Sequence, residues 1–128
     1  MKNMKKLLVL ALVIVSVLAI SVPALAASID AVPGAKRTGS AVTFSAGSDV
    51  SASVSATLQS GDIIRIFLDV YNPERSTWVE RDVIKFQSAG SNSGTLSYSL
   101  DSNETQARIR TYGYEANSGT ISVTYTFD

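Results

Sequence analysis

The sequence predicts an all-β fold, an antiparallel β-sandwich of about seven strands with an immunoglobulin-like or a jelly-roll topology. Three observations predict it. Serine and threonine alternate with apolar residues over long stretches, which is the period of a strand with one buried face. Clusters of Gly, Asn, Asp and Ser separate these stretches and favour chain reversal. After residue 26 no stretch has helical periodicity, and short strands at this spacing are typical of a sandwich.

The first 26 residues have the pattern of a secretory signal peptide. Three lysines stand among the first six residues, and residues 7 to 22 are apolar except for two serines. Ala24 and Ala26 supply the small side chains that signal peptidase requires, so we expect cleavage between Ala26 and Ala27. The apolar run is shorter than the roughly 20 residues of a membrane-spanning helix. We therefore expect a soluble, secreted, extracellular protein with no membrane contact after cleavage.

The remaining chain divides into two parts. Residues 27 to 39 contain Pro33, Gly34 and Gly39 and are predicted to be an N-terminal arm or edge strand, followed by the β-sandwich over residues 40 to 128. The alternation is clearest over residues 50 to 58 and 120 to 127, and it is also present over residues 63 to 70 and 96 to 100. Residues 78 to 86 change phase, which predicts a β-bulge or a strand that switches sheets.

Composition excludes several functional classes. The chain has no histidine and no cysteine, which removes Ser-His-Asp and Cys-His catalysis, His/Cys zinc sites, disulfides, and haem or iron–sulfur ligation by those residues. Without the three leader lysines the chain has eight basic and eleven acidic residues, a net charge of −3. That balance provides no clustered positive charge for nucleic acid, so we expect no nucleic-acid partner.

Two-carboxylate glycoside hydrolysis survives in principle. Its acid and base would come from four residues, Asp69, Glu80, Asp82 and Glu115. That reaction also needs a deep cleft, which a sandwich of this size seldom encloses. We therefore predict that the protein is not an enzyme.

No cofactor is predicted, with calcium as the alternative. The best cluster of oxygen ligands is Asp101-Ser102-Asn103-Glu104, which lacks the alternating acids and the glycine of an EF-hand loop. The other interpretation is a turn in which Asp and Asn side chains bond to their own backbone. The turn is the preferred interpretation.

Arginine and aromatic residues occupy the non-core parity of two predicted strands, residues 63 to 71 and 105 to 114. Elsewhere that parity carries Ser and Thr. If the two strands are neighbours, these side chains form one patch that would stack on sugar rings or bind a peptide. The alternative is cross-strand pairing that only stabilises the sheet. Trp78 fits either a core position or the rim of the patch. The candidate binding residues are Arg65, Phe67, Tyr71, Trp78, Arg108, Arg110, Tyr112 and Tyr114.

Three segments carry a resemblance to a known family. Residues 69 to 73 (DVYNP), 107 to 114 (ARIRTYGY) and 119 to 125 (GTISVTY) resemble the second half of bacterial pre-peptidase C-terminal domains, which are jelly-roll-like appendages of secreted hydrolases. The similarity covers about half of the chain after the leader. It implies a non-catalytic secreted sandwich with affinity for an extracellular polymer, and it transfers no individual functional residue.

Three functions from different classes follow. The first is a secreted binding module for an extracellular polysaccharide, a cell-wall component or a protein. The second is a structural subunit of an extracellular fibre or matrix that assembles by strand addition. The third is a secreted inhibitor or toxin that presents a loop such as residues 71 to 78. The binding module ranks first.

Overall fold

A computed structural model describes residues 25–115 and 119–128. Of the predicted signal peptide, residues 1–24 lie outside the described residues. Within the described ranges no helix is long and apolar enough to cross a membrane. Nine strands form there: β1 Leu25–Ala31, β2 Lys36–Thr38, β3 Val42–Thr43, β4 Asp49–Leu58, β5 Ile63–Asn72, β6 Thr77–Phe86, β7 Gly90–Ser99, β8 Gln106–Glu115 and β9 Ile121–Phe127.

The strands make two antiparallel sheets. Sheet I has the order β1-β9-β4-β7, and sheet II has the order β2-β8-β5-β6 with the short β3 also paired to β8. Two facing sheets with these strand orders and connections are a jelly roll, to which β3 adds a short extra strand in sheet II. The predicted all-β sandwich is confirmed, and the topology is the second of the two alternatives. The prediction of about seven strands was low by two, because β1 and β2 form where the sequence predicts an arm or edge strand.

The core lies between the sheets and is mainly aliphatic. Alternation along β4 buries its five apolar side chains and leaves its polar side chains on the outer surface. They pack against β5, whose Ile64, Ile66 and Leu68 are fully buried, and against Ile109 of β8. Burial of each such Ile or Leu side chain contributes about 1.5–3 kcal/mol to the free energy of folding. This apolar layer stabilises the fold without disulfides.

The chain crosses from sheet I to sheet II directly after β1. The Gly113 amide of β8 donates to the Val32 carbonyl at 3.2 Å, and the Gly34 amide donates to the Gly113 carbonyl at 2.7 Å. A Cβ atom at position 113 would lie 2.6 Å from the Val32 oxygen, so only glycine permits this approach. The crossing places β2 beside β8, and the predicted cleavage point between Ala26 and Ala27 falls within β1.

A β-bulge interrupts β6. Leu68 pairs with Asp82 and Asp69 with Glu80, so Arg81 is the additional residue. The phase change in the sequence is therefore confirmed as a bulge. Beyond it, an Asp82 carboxylate oxygen accepts a hydrogen bond from the Ser97 amide of β7 at 2.9 Å. The bulge thus connects the edge strands of the two sheets.

Candidate ligand-binding face

Strands β5 and β8 are neighbours in sheet II. Arg65 pairs with Tyr112 and Phe67 with Arg110. This register brings the arginine and aromatic residues of the two strands together on the outer surface. On the other side of β5, the bulged strand β6 places Trp78 beside Tyr71, so all eight candidate residues lie on one face. We call this outer surface of sheet II the arginine–aromatic face.

Arg110 and Asp69 form its most buried ion pair. Arg110 Nε donates to one Asp69 oxygen at 2.8 Å and Nη2 donates to the other at 3.1 Å, while Nη2 also lies 3.4 Å from Glu80 Oε1. The Asp69 side chain is 4% exposed and that of Arg110 15%. The hydrogen bonds to Asp69 raise the pKa of the Arg110 guanidinium above its usual value. Arg110 is therefore bound to acids of the domain itself.

Arg108 also contacts side chains of the domain itself. Its Nε lies 3.5 Å from Asp69 Oδ2, and its guanidinium carbon lies 4.2 Å from the centre of the Trp78 ring. Trp78 in turn packs edge-to-face on Tyr71 at 5.4 Å, and Phe67 lies beneath Arg110 at 4.0 Å. Trp78 is therefore not a core residue. In this half of the face the side chains form cross-strand pairs that stabilise the sheet, which is the alternative interpretation of the patch.

The other half of the face is more open. Tyr112 and Tyr114 pack edge-to-face with ring centres 4.7 Å apart, and the Arg65 guanidinium lies 5.0 Å from the centre of the Tyr114 ring. Lys36 of β2 pairs with Tyr112 across the strands and is exposed. Within the described ranges neither Lys36 nor Arg65 has an acidic partner within ion-pair distance.

A shallow basin of about 460 Å³ lies over this open half and extends to Arg110 in the other half. Among the described residues the exposed large hydrophobic side chains are Val83, 44% exposed, and Tyr114, 48% exposed. Both line the basin. Its lining comprises Phe67, Val83, Tyr112 and Tyr114 with Lys36, Arg65, Glu80 and Arg110.

Sequence reasoning did not select Lys36, Glu80, Val83 or Lys85 as members of this face. Lys36 reaches it through the pairing of β2 with β8, a contact between distant parts of the chain that no local pattern reveals. Lys85, Val83 and Glu80 lie on β6 opposite Arg65, Phe67 and Asp69. The bulge between Val83 and Glu80 changes the parity, so alternation alone does not place them on one face.

Several of the carboxylates considered for catalysis or calcium binding have partners of their own. Asp69 and Glu80 contact Arg110, and Asp82 accepts from Ser97. At the Asp101–Glu104 turn, Glu104 Oε1 accepts from the Asp101 amide at 2.8 Å and Oε2 lies 3.3 Å from Arg81 Nη2. In the part of the chain that the structure describes, no group of three or more acidic residues is arranged to hold a metal ion.

The outer surface of sheet I contrasts with this face. On β4, β7 and β9 the outward positions carry hydroxyl side chains, with Asp49 at one end. Thr95, Ser53 and Thr126 form one row across three strands, and Ser93, Ser55 and Thr124 the next. This surface, the hydroxyl face, has neither arginine nor aromatic side chains within the described part of those strands.

Comparison with known proteins identifies solved structures of similar architecture. No protein-family model and no curated protein sequence matches the chain. A family 16 carbohydrate-binding module aligns with a TM-score of 0.49 at 9% identity, over 79% of this chain and 72% of that one. A chain of the naturally occurring empty particles of cowpea mosaic virus aligns at 0.43 and 10%, over 84% and 86%. A chain of Bacillus endospore appendages, disulfide-linked pili, aligns at 0.40 and 17%, over 81% and 85%. At these identities and TM-scores the likenesses give no information about what this chain binds.

Proposed function

We propose that this chain is a secreted, non-catalytic binding module that recognises an extracellular polysaccharide or cell-wall polymer through the open half of the arginine–aromatic face. The observation that carries the proposal is the basin in which exposed Val83 and Tyr114 lie beside Lys36 and Arg65. Exposed apolar and aromatic surface bordered by polar groups is typical of an interaction site. The resemblance to pre-peptidase C-terminal domains supports the same class of function.

The shape of the basin favours a polymer over a small molecule. A small-molecule site usually encloses most of its ligand, whereas this basin lies on the outer surface of a sheet. A chain of sugar rings is able to lie across such a surface with one ring on Tyr114 and its hydroxyl groups near Lys36 and Arg65. The partly exposed aromatic ring supplies contact area, and the cations supply hydrogen-bond donors that fix the orientation.

Substitution of Tyr114 tests the proposal. Tyr114→Ala removes the exposed ring from the centre of the contact, so binding to insoluble polysaccharides or cell walls should fall about tenfold or more. The matched control is Thr95→Ala on the hydroxyl face, which should bind as the parent does. Thermal unfolding of each variant establishes that it is folded. Equal binding of Tyr114→Ala and Thr95→Ala to every polymer that the parent binds would contradict this assignment of the face.

One observation favours the second candidate function, a structural subunit that assembles by strand addition. In the described part of the chain β1 is an edge strand paired only with β9, so its outer side offers backbone groups to another strand. Ile29 and Ala31 of β1 are buried in the core, so the test must use the intact chain from residue 27. Size-exclusion chromatography at rising concentration should give oligomers of increasing size under this hypothesis. A concentration-independent monomer would exclude it.

A further inference from the structure

We infer that the ligand of this module is an acidic polysaccharide, whose carboxylate or sulfate groups are held by Lys36 and Arg65 beside Tyr112 and Tyr114. The inference rests on the proposed function and specifies the chemistry of its ligand. Within the part of the chain that the structure describes, the domain itself neutralises some of the charges on the arginine–aromatic face and leaves others without an acidic partner.

The cations of the face differ in their acidic partners. Arg108 and Arg110 both lie at ion-pair distance from the buried Asp69, and Arg110 also reaches Glu80. Within the described residues, Lys36 and Arg65 have no such acid. Arg108 and Arg110 therefore neutralise Asp69 within the domain. Lys36 and Arg65 lack an acidic counter-charge among the described residues. An anionic ligand would supply it with charge-assisted hydrogen bonds.

The cations of the open half form an ordered row. One row of directly paired positions crosses β2, β8, β5 and β6, and it consists of Lys36, Tyr112, Arg65 and Lys85 in that order. Neighbouring strands are about 4.8 Å apart, which is comparable to the length of one hexose unit in a chain. A polysaccharide that crosses the strands and carries an acidic group on its successive sugars would therefore meet a cation on three of the four strands.

The distribution of charge over the whole domain agrees with this arrangement. The paired outward positions of sheet II hold five cations, Lys36, Arg65, Lys85, Arg108 and Arg110, and three acids, Asp69, Glu80 and Glu115. The face therefore carries +2, and since residues 27 to 128 carry −3 in total, the rest of them carries −5. A positive face on an acidic domain attracts and orients an anionic partner while the remaining surface repels it.

Matched pairs of polymers test the inference directly. Polygalacturonate is compared with methyl-esterified pectin, and dextran sulfate with dextran, so that each pair shares a sugar chain and differs in charge. The protein should be retained about tenfold or more strongly on the acidic member of at least one pair, and added salt should weaken that retention. The pair that discriminates identifies carboxylate or sulfate as the group recognised.

Substitutions locate the charge recognition on the face. Lys36→Gln and Arg65→Gln should each reduce binding to the acidic polymer about tenfold. The matched control is Arg37→Gln, which removes the same charge one residue from Lys36, at the position paired with the buried Thr111, and should bind as the parent does. Thermal unfolding shows that all three variants are folded.

The outcomes separate this inference from the proposed function. Equal binding to the charged and neutral polymers, with loss only in Tyr114→Ala, would leave the binding module in place and overturn the acidic ligand. Equal effects of Arg37→Gln and the two test variants would overturn it as well, and so would tighter binding to single-stranded DNA than to any acidic polysaccharide. Absence of binding to every polymer would overturn both.

Discussion

Arg110 donates two hydrogen bonds to Asp69, and its guanidinium also lies 4.0 Å from the centre of the Phe67 ring. One side chain thus neutralises a buried carboxylate and covers a buried aromatic residue on the neighbouring strand. Sequence parity places all three residues on one face, but only the structure shows that Arg110 is held by groups of the domain itself.

The first prediction is that Arg110→Ala mainly affects stability. Removal of the guanidinium leaves Asp69 buried with the more distant Arg108 and exposes the Phe67 ring, so the free energy of unfolding should fall by about 3 kcal/mol. Urea unfolding measures this change. Arg75→Ala, in the exposed turn between β5 and β6, is the control and should change stability by less than about 0.5 kcal/mol.

A double-mutant cycle tests the same pair. Asp69→Asn combined with Arg110→Gln should cost clearly less than the sum of the two single changes, because the double variant has no unpaired buried charge. Additive effects, or an Arg110→Ala variant as stable as Arg75→Ala, would show that the pair is not coupled.

Much of the fold is readable in the sequence, because burial imposes a period of two on a half-buried strand. The alternation of β4 and β9 predicts their buried faces without reference to any other strand. The β6 bulge is also detectable, since Ile84 and Phe86 have the opposite parity to Val79. The strand β2 is not, because it is three residues long and is stabilised by contacts with β8 far along the chain.

The candidate site is predictable only in part for a related reason. Residue parity gives the outward side chains of β5 and β8, whereas the distribution of charges among partners depends on geometry in space. Asp69 could have paired with either neighbouring arginine, and no sequence pattern indicates that it takes both. Lys36 joins the face through the crossing at Gly113, which depends on a backbone contact between positions about 80 residues apart.

The second prediction concerns this crossing. Gly113→Ala would place a Cβ atom 2.6 Å from the Val32 carbonyl oxygen, and backbone on both sides must then shift. We expect a lower free energy of unfolding and weakened attachment of β2 to β8, measured by thermal unfolding and by faster amide hydrogen exchange of Lys36 and Arg37. Ser53→Ala on the hydroxyl face is the control. Unchanged exchange at β2 would show that the close contact does not constrain the crossing.

The third prediction concerns calcium at the turn between β7 and β8. The Glu104 carboxylate already accepts the Asp101 amide and pairs with Arg81, so a calcium ion would have to displace an arginine. The temperature of unfolding should therefore be the same with calcium and with a chelator, whereas Glu104→Gln should lower it by weakening the ion pair. A rise of several degrees on addition of calcium, absent in Glu104→Gln, would instead identify the turn as a calcium site.

The last prediction concerns alkaline pH and Tyr125. Its side chain is 5% exposed and packs edge-to-face on Phe127 at 5.8 Å; burial raises its pKa above the usual value of about 10. An unfolded tyrosine releases its proton near pH 10, whereas the folded one keeps it to a higher pH. Above pH 10 the folded state therefore binds more protons than the unfolded state, and rising pH favours unfolding. The stabilisation is complete below about pH 10 and is lost as the pH rises through the folded-state pKa.

In Tyr125→Phe this contribution is absent, so urea unfolding from about pH 7 to about pH 11.5 should show the variant losing less stability than the parent above about pH 10. Tyr114→Phe, which removes the hydroxyl of an exposed ring, is the control for the loss of a tyrosine as such. Parallel profiles for the parent and Tyr125→Phe over the whole range would mean that burial of this hydroxyl does not contribute to alkaline unfolding.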